Sequence, residues 1–517
     1  MSVRRKRSKV STKRRKAVTP PKPSSKVVRV ESLLGYIVLL LMVLAYFIIF
    51  ASIVLNEYNM FWYGNFDLGI PDQGIWLISQ SKSPYLTTRG LHLFGDHASY
   101  IHVLVAPLYW IWDDVRALLL LHTATLALGA VPVYLIARER FQSQWIPLFF
   151  CLSYLLLPAV HYSNLDQGYH YETFMAFFML LGYWFILRKW YTAYFATAFL
   201  SLICKEEIAL TFILFGLYIA VRHSVRVGLA TSVFALVWLL LVMHVFFPFF
   251  NQEGAIYTGR TLDSFGKTPI EKARSFTDPA FMYGKLDTTK NREYLQALLA
   301  PTGYLVVLDP LAMASSASLW LNLLQDWPYA HEIRYHYVTP IIPLIYIALI
   351  NGTFRLRKRR LVFGALLMVL VAAAIWGNHR FGPDQSSLRN PPRILDSVRN
   401  FNRVYPDDAE VLKLMGCIPK NASVSATYNL VSHLTHRERI YMFPNPFRVN
   451  LYGIDERGIH PDKDVDYVLL DTRLIGDEED KHGSVSKVNA SGKYEMIRSY
   501  KYAELWGRIG LADACKS

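Results

Sequence analysis

The chain has 517 residues, 53% of them hydrophobic and only 18% charged, against about 25% charged in soluble globular proteins, so a wholly soluble fold is excluded. The formal net charge of +15 does not point to nucleic acid. Twelve Lys and Arg fall within residues 1–29 with no acid among them, which leaves 15 − 12 = +3 for the rest of the chain.

From the N-terminus, residues 1–32 are rich in Ser and Pro and too poor in apolar side chains to fold; a disordered basic tail is expected there, cytoplasmic and drawn to anionic lipid. The apolar run 33–55 carries no charge over the roughly 20 residues that cross a bilayer core, longer than the hydrophobic stretch of a signal peptide. It reads as a retained signal-anchor. Further apolar runs follow at 116–137, 144–160, 173–187, 190–204, 208–221 and 227–247. With 33–55 running from inside to outside, Arg138 and Arg140, Arg188 and Lys189, and Arg222 and Arg226 all fall on the cytoplasmic side, as the positive-inside rule requires. Residues 296–325 are expected to form a hairpin turning near Asp309-Pro310, because a single span would place the run 355–360, five basic residues in six, outside. Spans at 336–353 and 361–377 bring the count to about eleven. The fold class expected is therefore an α-helical polytopic membrane protein, residues 33–380, with a long first outer loop at 56–100.

From about residue 391 the texture turns soluble, with short alternating strands such as 422–426 and 465–470, and a small α/β extracytoplasmic unit over 391–517 is expected. Cys417 and Cys515 lie in it, whereas Cys151 and Cys204 lie in apolar helices, so compartment permits a disulfide between the outer pair. Sequons at Asn421 and Asn489 would be accessible there. No internal repeat is visible, which argues against an inverted-repeat transporter.

This topology collects ionisable residues on one side. The first outer loop offers Asp67 and Asp72, flanked by glycines and aromatics, then Asp96 and His97; other outer helix ends offer Asp166, His170 and Glu172, then Lys205, Glu206 and Glu207, then His331, Arg334 and His336. Singly, each has a plainer reading as a solvated acid, a helix cap or a snorkelling lysine. Together, four loops feeding one layer suggest a polar cavity opening outward. Acids there could act as general base, histidines as acid or metal ligand, and Lys205 or Arg334 as phosphate partners. No Walker loop, zinc-type Cys spacing, nucleophile elbow or dinucleotide fingerprint occurs in a supporting context, so no nucleotide cofactor and no nucleic-acid partner is expected.

The runs Asn65-Phe-Asp-Leu-Gly-Ile-Pro-Asp-Gln-Gly-Ile-Trp76, His102 through Pro107-Leu-Tyr109, Leu128-Gly-Ala-Val-Pro-Val-Tyr134, Lys205-Glu-Glu207, Tyr335-His-Tyr337 and Val424-Ser-Ala426 with His433 resemble the DUF2079 family of prokaryotic membrane proteins over about residues 60–475. That family is in turn similar to the GT-C superfamily of glycosyltransferases. The resemblance implies a GT-C-like bundle that transfers a sugar from a polyprenyl-phosphate donor in the membrane lipid to an unknown acceptor on the outer face. It implies Asp67, with Asp72, as the catalytic carboxylates. Lys205, Glu206, Glu207, His97, His102, Asp166, His170, Glu172, Arg334 and His336 would line the substrate site. The superfamily often carries a closely spaced acidic pair; here Asp67 and Asp72 are five apart, which leaves the metal open, a divalent ion being the one cofactor considered. The competing readings are a non-catalytic envelope scaffold or glycan-binding protein, and a lipid or solute transporter.

Overall fold

In the computed structural model, residues 25–166, 168–251, 262–449, 462–475, 488 and 491–511 are described. Helix α1 (Ser25–Asn59) leads to the first loop, which holds a π-helical turn (Asn65–Gly69), α2 (Ile70–Ser79) and a small hairpin of β1 (Tyr85–Leu86) and β2 (Leu91–His92). The bundle continues with α3 (Val115–Phe141), α4 (Ile146–Leu155), α5 (Pro158–Leu165), α6 (Glu172–Arg188), α7 (Tyr191–Leu202), α8 (Ile208–Arg222) and α9 (Val225–Phe250). After α10 (Thr289–Leu299) and α11 (Ala317–Leu324) come α12 (His336–Arg355) and α13 (Arg360–Phe381).

Length limits how many of these cross a membrane. Among the described residues five helices are long and apolar enough (Leu33–Asn59 of α1, then α3, α9, α12 and α13), or six if α4 and α5, bent by 45°, make one span. By this measure the described residues give five or six spans, where about eleven were expected. Helices α6, α7 and α8 are apolar but have 17, 12 and 15 residues; at 1.5 Å per residue that is about 18–26 Å, short of a ~30 Å core.

Residues 296–325 fold as a hairpin. Its arms meet where the Asn291 amide donates to the Leu323 carbonyl at 2.9 Å and the Asn322 amide to the Tyr294 hydroxyl at 3.0 Å. At the turn, fully buried Asp309 accepts from Arg222 at 3.0 Å and from the Tyr218 hydroxyl at 3.1 Å, and pairs with Arg355 at 2.9 Å. Asn351 donates to Tyr218 and Tyr183, and Arg140 also donates to Tyr183. The arginines of three hinges thus share one end of the bundle, called here the basic end. Close packing sets the approach, for a Cβ on Gly352 of α12 would stand 2.6 Å from the Leu308 Cβ.

At the opposite end sits the C-terminal unit. Its strands β3 (Val424–Ala426), β4 (Ile440–Met442), β5 (Tyr467–Asp471), β6 (Tyr494–Tyr500) and β7 (Ala503–Arg508) form one sheet in the order β4-β3-β5-β7-β6. Parallel pairing holds β3 to β4 and β5, and antiparallel pairing joins β5 to β7 and β7 to β6. Every residue of β3, β4 and β5 is buried, as parallel strands covered on both faces should be. The unit is docked on the first loop as well as tethered: Phe61 belongs to its apolar core, and the Thr87 hydroxyl bonds both the N–H and the carbonyl of Ile440, capping the β4 edge at 2.9 and 2.6 Å. Cys417 is disulfide-bonded while Cys151 and Cys204 are free. Cys515, Asn489 and the tail before Ser25 lie outside the described residues.

Candidate functional site

The first loop decides where its two acids point. Gly64 precedes the π-helical turn, and a Cβ there would stand 1.9 Å from the Tyr428 ring, so only glycine lets the C-terminal unit close on the loop at this point. The turn runs directly into α2, with Pro71 in its first turn. Five residues at about 100° each put Asp67 and Asp72 roughly 140° apart around the helix axis. They do not converge.

Asp72 is fully buried between the loop and the C-terminal unit. The Tyr109 and Thr435 hydroxyls donate to its two oxygens, and His436 Nε2 lies 3.4 Å away, with His436 Nδ1 at 2.7 Å from Asp113. Burial acts to lower the His436 pKa, but Asp72 and Asp113 outweigh it and raise the ring above its ordinary value. The sequence reading placed Asp72 beside Asp67 as a second catalytic acid; its carboxylate instead meets Thr435 and His436 of the C-terminal unit and does not join the Asp67 group.

Asp67 faces a different group. Its carboxylate, His170 and His336 present ligand atoms that all lie within 4.8 Å of one another. The two imidazoles stack at 4.2 Å. His170 Nε2 bonds the Asp166 carbonyl at 2.6 Å, which leaves Nδ1 as the lone-pair nitrogen. The Asp166 carboxylate accepts the His336 backbone N–H at 3.0 Å and stands 3.6 Å from His336 Nδ1. Beside them, buried Lys205 and Glu172 pair at 2.7 Å, and Glu207 is 3.6 Å from the same ammonium. Burial alone would lower the Lys205 pKa; Glu172 more than reverses this and holds the lysine charged.

Six of the expected residues, Asp166, His170, Glu172, Lys205, Glu207 and His336, therefore gather around Asp67. Four do not. Glu206 turns to His97 at 2.9 Å and to the Ala98 N–H at 3.1 Å; burial opposes its charge, yet His97 holds its pKa down at about 2. His102 is buried against Tyr171 and Tyr169, with no hydrogen bond to either ring nitrogen among the described residues. Arg334 is exposed and pairs with Glu332 at 2.7 Å. Sequence reasoning missed Tyr109, Asp113, Thr435 and His436, and also buried His122, whose ring lies 6.1 Å from that of His170. The spacing of His433 and His436 was the one available signal.

Charge and donors fit a cation at the Asp67 group. Asp67, Asp166, Glu172 and Glu207 against Lys205 give −4 + 1 = −3 with the histidines neutral. Two imidazoles and a carboxylate suit a first-row divalent ion, and a bond length of about 2.1 Å bridges their spacing after a small side-chain adjustment.

The family described as "Predicted membrane protein (DUF2079)" matches residues 57–501. Among solved structures, the fold is similar to that of ArnT from Cupriavidus metallidurans bound to undecaprenyl phosphate, at 12% identity over 94% of this chain and 99% of that one, with a TM-score of 0.48. It is also similar to the Archaeoglobus fulgidus oligosaccharyltransferase tethered with an acceptor peptide, at 12% identity over 87% of this chain and 72% of that one, with a TM-score of 0.41. No curated protein matches.

Proposed function

The chain belongs to the DUF2079 family of predicted membrane proteins, and from that premise we propose that it transfers a sugar from a polyprenyl-phosphate donor to an acceptor at the bundle end that carries Asp67. That end is read as the outer face, because Arg140, Arg222 and Arg355 gather at the other. The observation that carries the reading is the convergence of Asp67, His170 and His336 beside the Lys205–Glu172 pair.

In this reading one Asp67 oxygen takes the proton of the acceptor hydroxyl as the acceptor oxygen bonds the sugar C1, while the C1–O bond to phosphate breaks and the phosphate leaves with its electron pair. Asp67, His170 and His336 are the residues that would hold a divalent ion, which when bound supplies positive charge for the leaving phosphate. Asp166 orients both histidines. Lys205, neutralised by Glu172, shapes the wall rather than meeting phosphate as a free cation.

Asp67→Asn keeps the shape and removes the base. In purified, membrane-reconstituted protein, sugar transfer from a polyprenyl-phosphate donor should fall by about 10²–10⁴-fold with insertion unchanged. Undiminished turnover would remove Asp67 from the reaction.

A further inference from the structure

Segment 332–336 has two neighbours. Its His336 belongs to the Asp67 group, while Arg334 lines a separate cavity of about 360 Å3. Tyr162, Tyr294 and Phe381 make that cavity's walls apolar, and Lys290 and Arg334 bring nitrogen donors into it. Phe381 is the last residue of the span α13, so the cavity lies at the depth where hydrocarbon gives way to headgroups.

The donors are available. Lys290 is exposed and forms no ion pair among the described residues. The Arg334 side chain is 55% exposed and its partner Glu332 46%, so the pair is weak and the guanidinium can turn. His331 is fixed: Nδ1 faces the Asn291 side-chain oxygen at 2.7 Å, and Nε2 the Gln325 carbonyl at 2.9 Å. The Asn291 amide nitrogen donates to the carbonyls of Lys285, Leu286 and Leu323, so its oxygen is the atom turned to the ring. With Glu293 and Glu332 as the lining acids, Lys290 and Arg334 bring the balance to 2 − 2 = 0 with the histidine neutral, against −3 for the Asp67 group.

We infer that this cavity binds the phosphate headgroup of a membrane lipid, with Lys290 and Arg334 on the phosphate and the chain along Tyr162, Tyr294 and Phe381. A cationic rim on an apolar wall at headgroup depth matches an amphiphilic anion. The inference stands apart from the transferase reading, since a phospholipid and a polyprenyl phosphate present the same phosphate.

The test uses the whole protein in phosphatidylcholine nanodiscs, challenged with phosphatidylglycerol or with polyprenyl phosphate, and native mass spectrometry to read the lipid retained. Both lipids should be retained, with retention about tenfold weaker in Lys290→Gln/Arg334→Gln. Ala297→Trp, which fills the cavity without changing charge, should abolish it. Equal retention by the wild type and the charge-neutral double variant overturns the proposal. Displacement of either lipid by millimolar inorganic phosphate would mark a free-anion site and overturn the lipid assignment. No transfer is measured, so the result does not depend on the fate of Asp67→Asn.

Discussion

At the basic end one buried carboxylate, Asp309, has both oxygens met, by Arg222, Arg355 and Tyr218, whereas at the opposite end Lys205 meets only Glu172 and Glu207 of the four carboxylates of the Asp67 group, and Asp67 and Asp166 lie against His170 and His336. Unpartnered buried atoms are distributed the same way. Among the described residues, Glu172 Oε2, His336 Nδ1 and both ring nitrogens of His122, whose ring lies 6.1 Å from that of His170, have no partner beside the Asp67 group, against Arg140 Nε and Asn351 Oδ1 at the basic end. A buried polar group without a partner costs about 1–3 kcal/mol. The two ends therefore differ: at one a buried carboxylate is paired and fastens a hairpin, while at the other more buried polar atoms stand without a partner among the described residues.

The largest effect should come from opening the closed end. Arg222→Ala/Arg355→Ala strands a fully buried carboxylate, and a loss of about 3–5 kcal/mol of stability is expected, read as a lower midpoint of thermal unfolding in detergent. Activity per folded molecule should survive. The Asp67 end should respond the other way round. His170→Ala/His336→Ala relieves no closed network, so the midpoint without added metal should shift little, while the divalent ion retained after purification, measured by elemental analysis, should fall to background. If the double histidine variant unfolds as readily as the double arginine variant, the contrast between the ends collapses.

Much of this contrast was legible in the sequence. The hinge arginines predicted a shared end, and the density of charge at 355–360 favoured a hairpin over a span; Asp309 meets Arg222 and Arg355 at its turn. Asp166, His170, Glu172, Lys205 and His336 were collected by topology alone. What the sequence hid was pairing across long separations. Nothing near Lys205 says that Glu172, thirty-three residues away, neutralises it, and nothing near Asp72 names Thr435. The separation of Asp67 from Asp72, by contrast, was there to be read, because five residues on a helix turn side chains apart. The expected count of about eleven spans exceeds the five or six that length gives among the described residues, because α6, α7 and α8 have 17, 12 and 15 residues, although α6 runs from Glu172 beside Lys205 to Arg188 beside Glu139 and α8 ends at Arg222 beside Asp309.

A third region, the docking surface between the first loop and the C-terminal unit, lies between these extremes and gives the next prediction. Gly64→Ala places a methyl inside the Tyr428 ring, and about 1–3 kcal/mol of docking should be lost. Faster hydrogen exchange over residues 424–442, with exchange at the basic end unchanged, is the expected readout. Were the whole molecule to loosen together, the docked unit would have to be counted part of the bundle rather than a body resting on it.

The smallest effect is one of pH, and it separates docking from both ends. His436 lies between Asp72 and Asp113, with its ring against Tyr109, and those two carboxylates raise its pKa against the effect of burial. The docked state therefore holds a proton that the undocked state releases near pH 6.5. The contribution is complete below that pH and is lost as pH rises through the higher docked-state value. Limited proteolysis of the C-terminal unit should thus quicken between neutral and mildly alkaline pH, and His436→Gln should flatten the dependence. A dependence that persists in the variant would locate the titrating group elsewhere, with the His97–Glu206 pair next in line, because His97 too is held above its ordinary value by a buried carboxylate against the effect of burial.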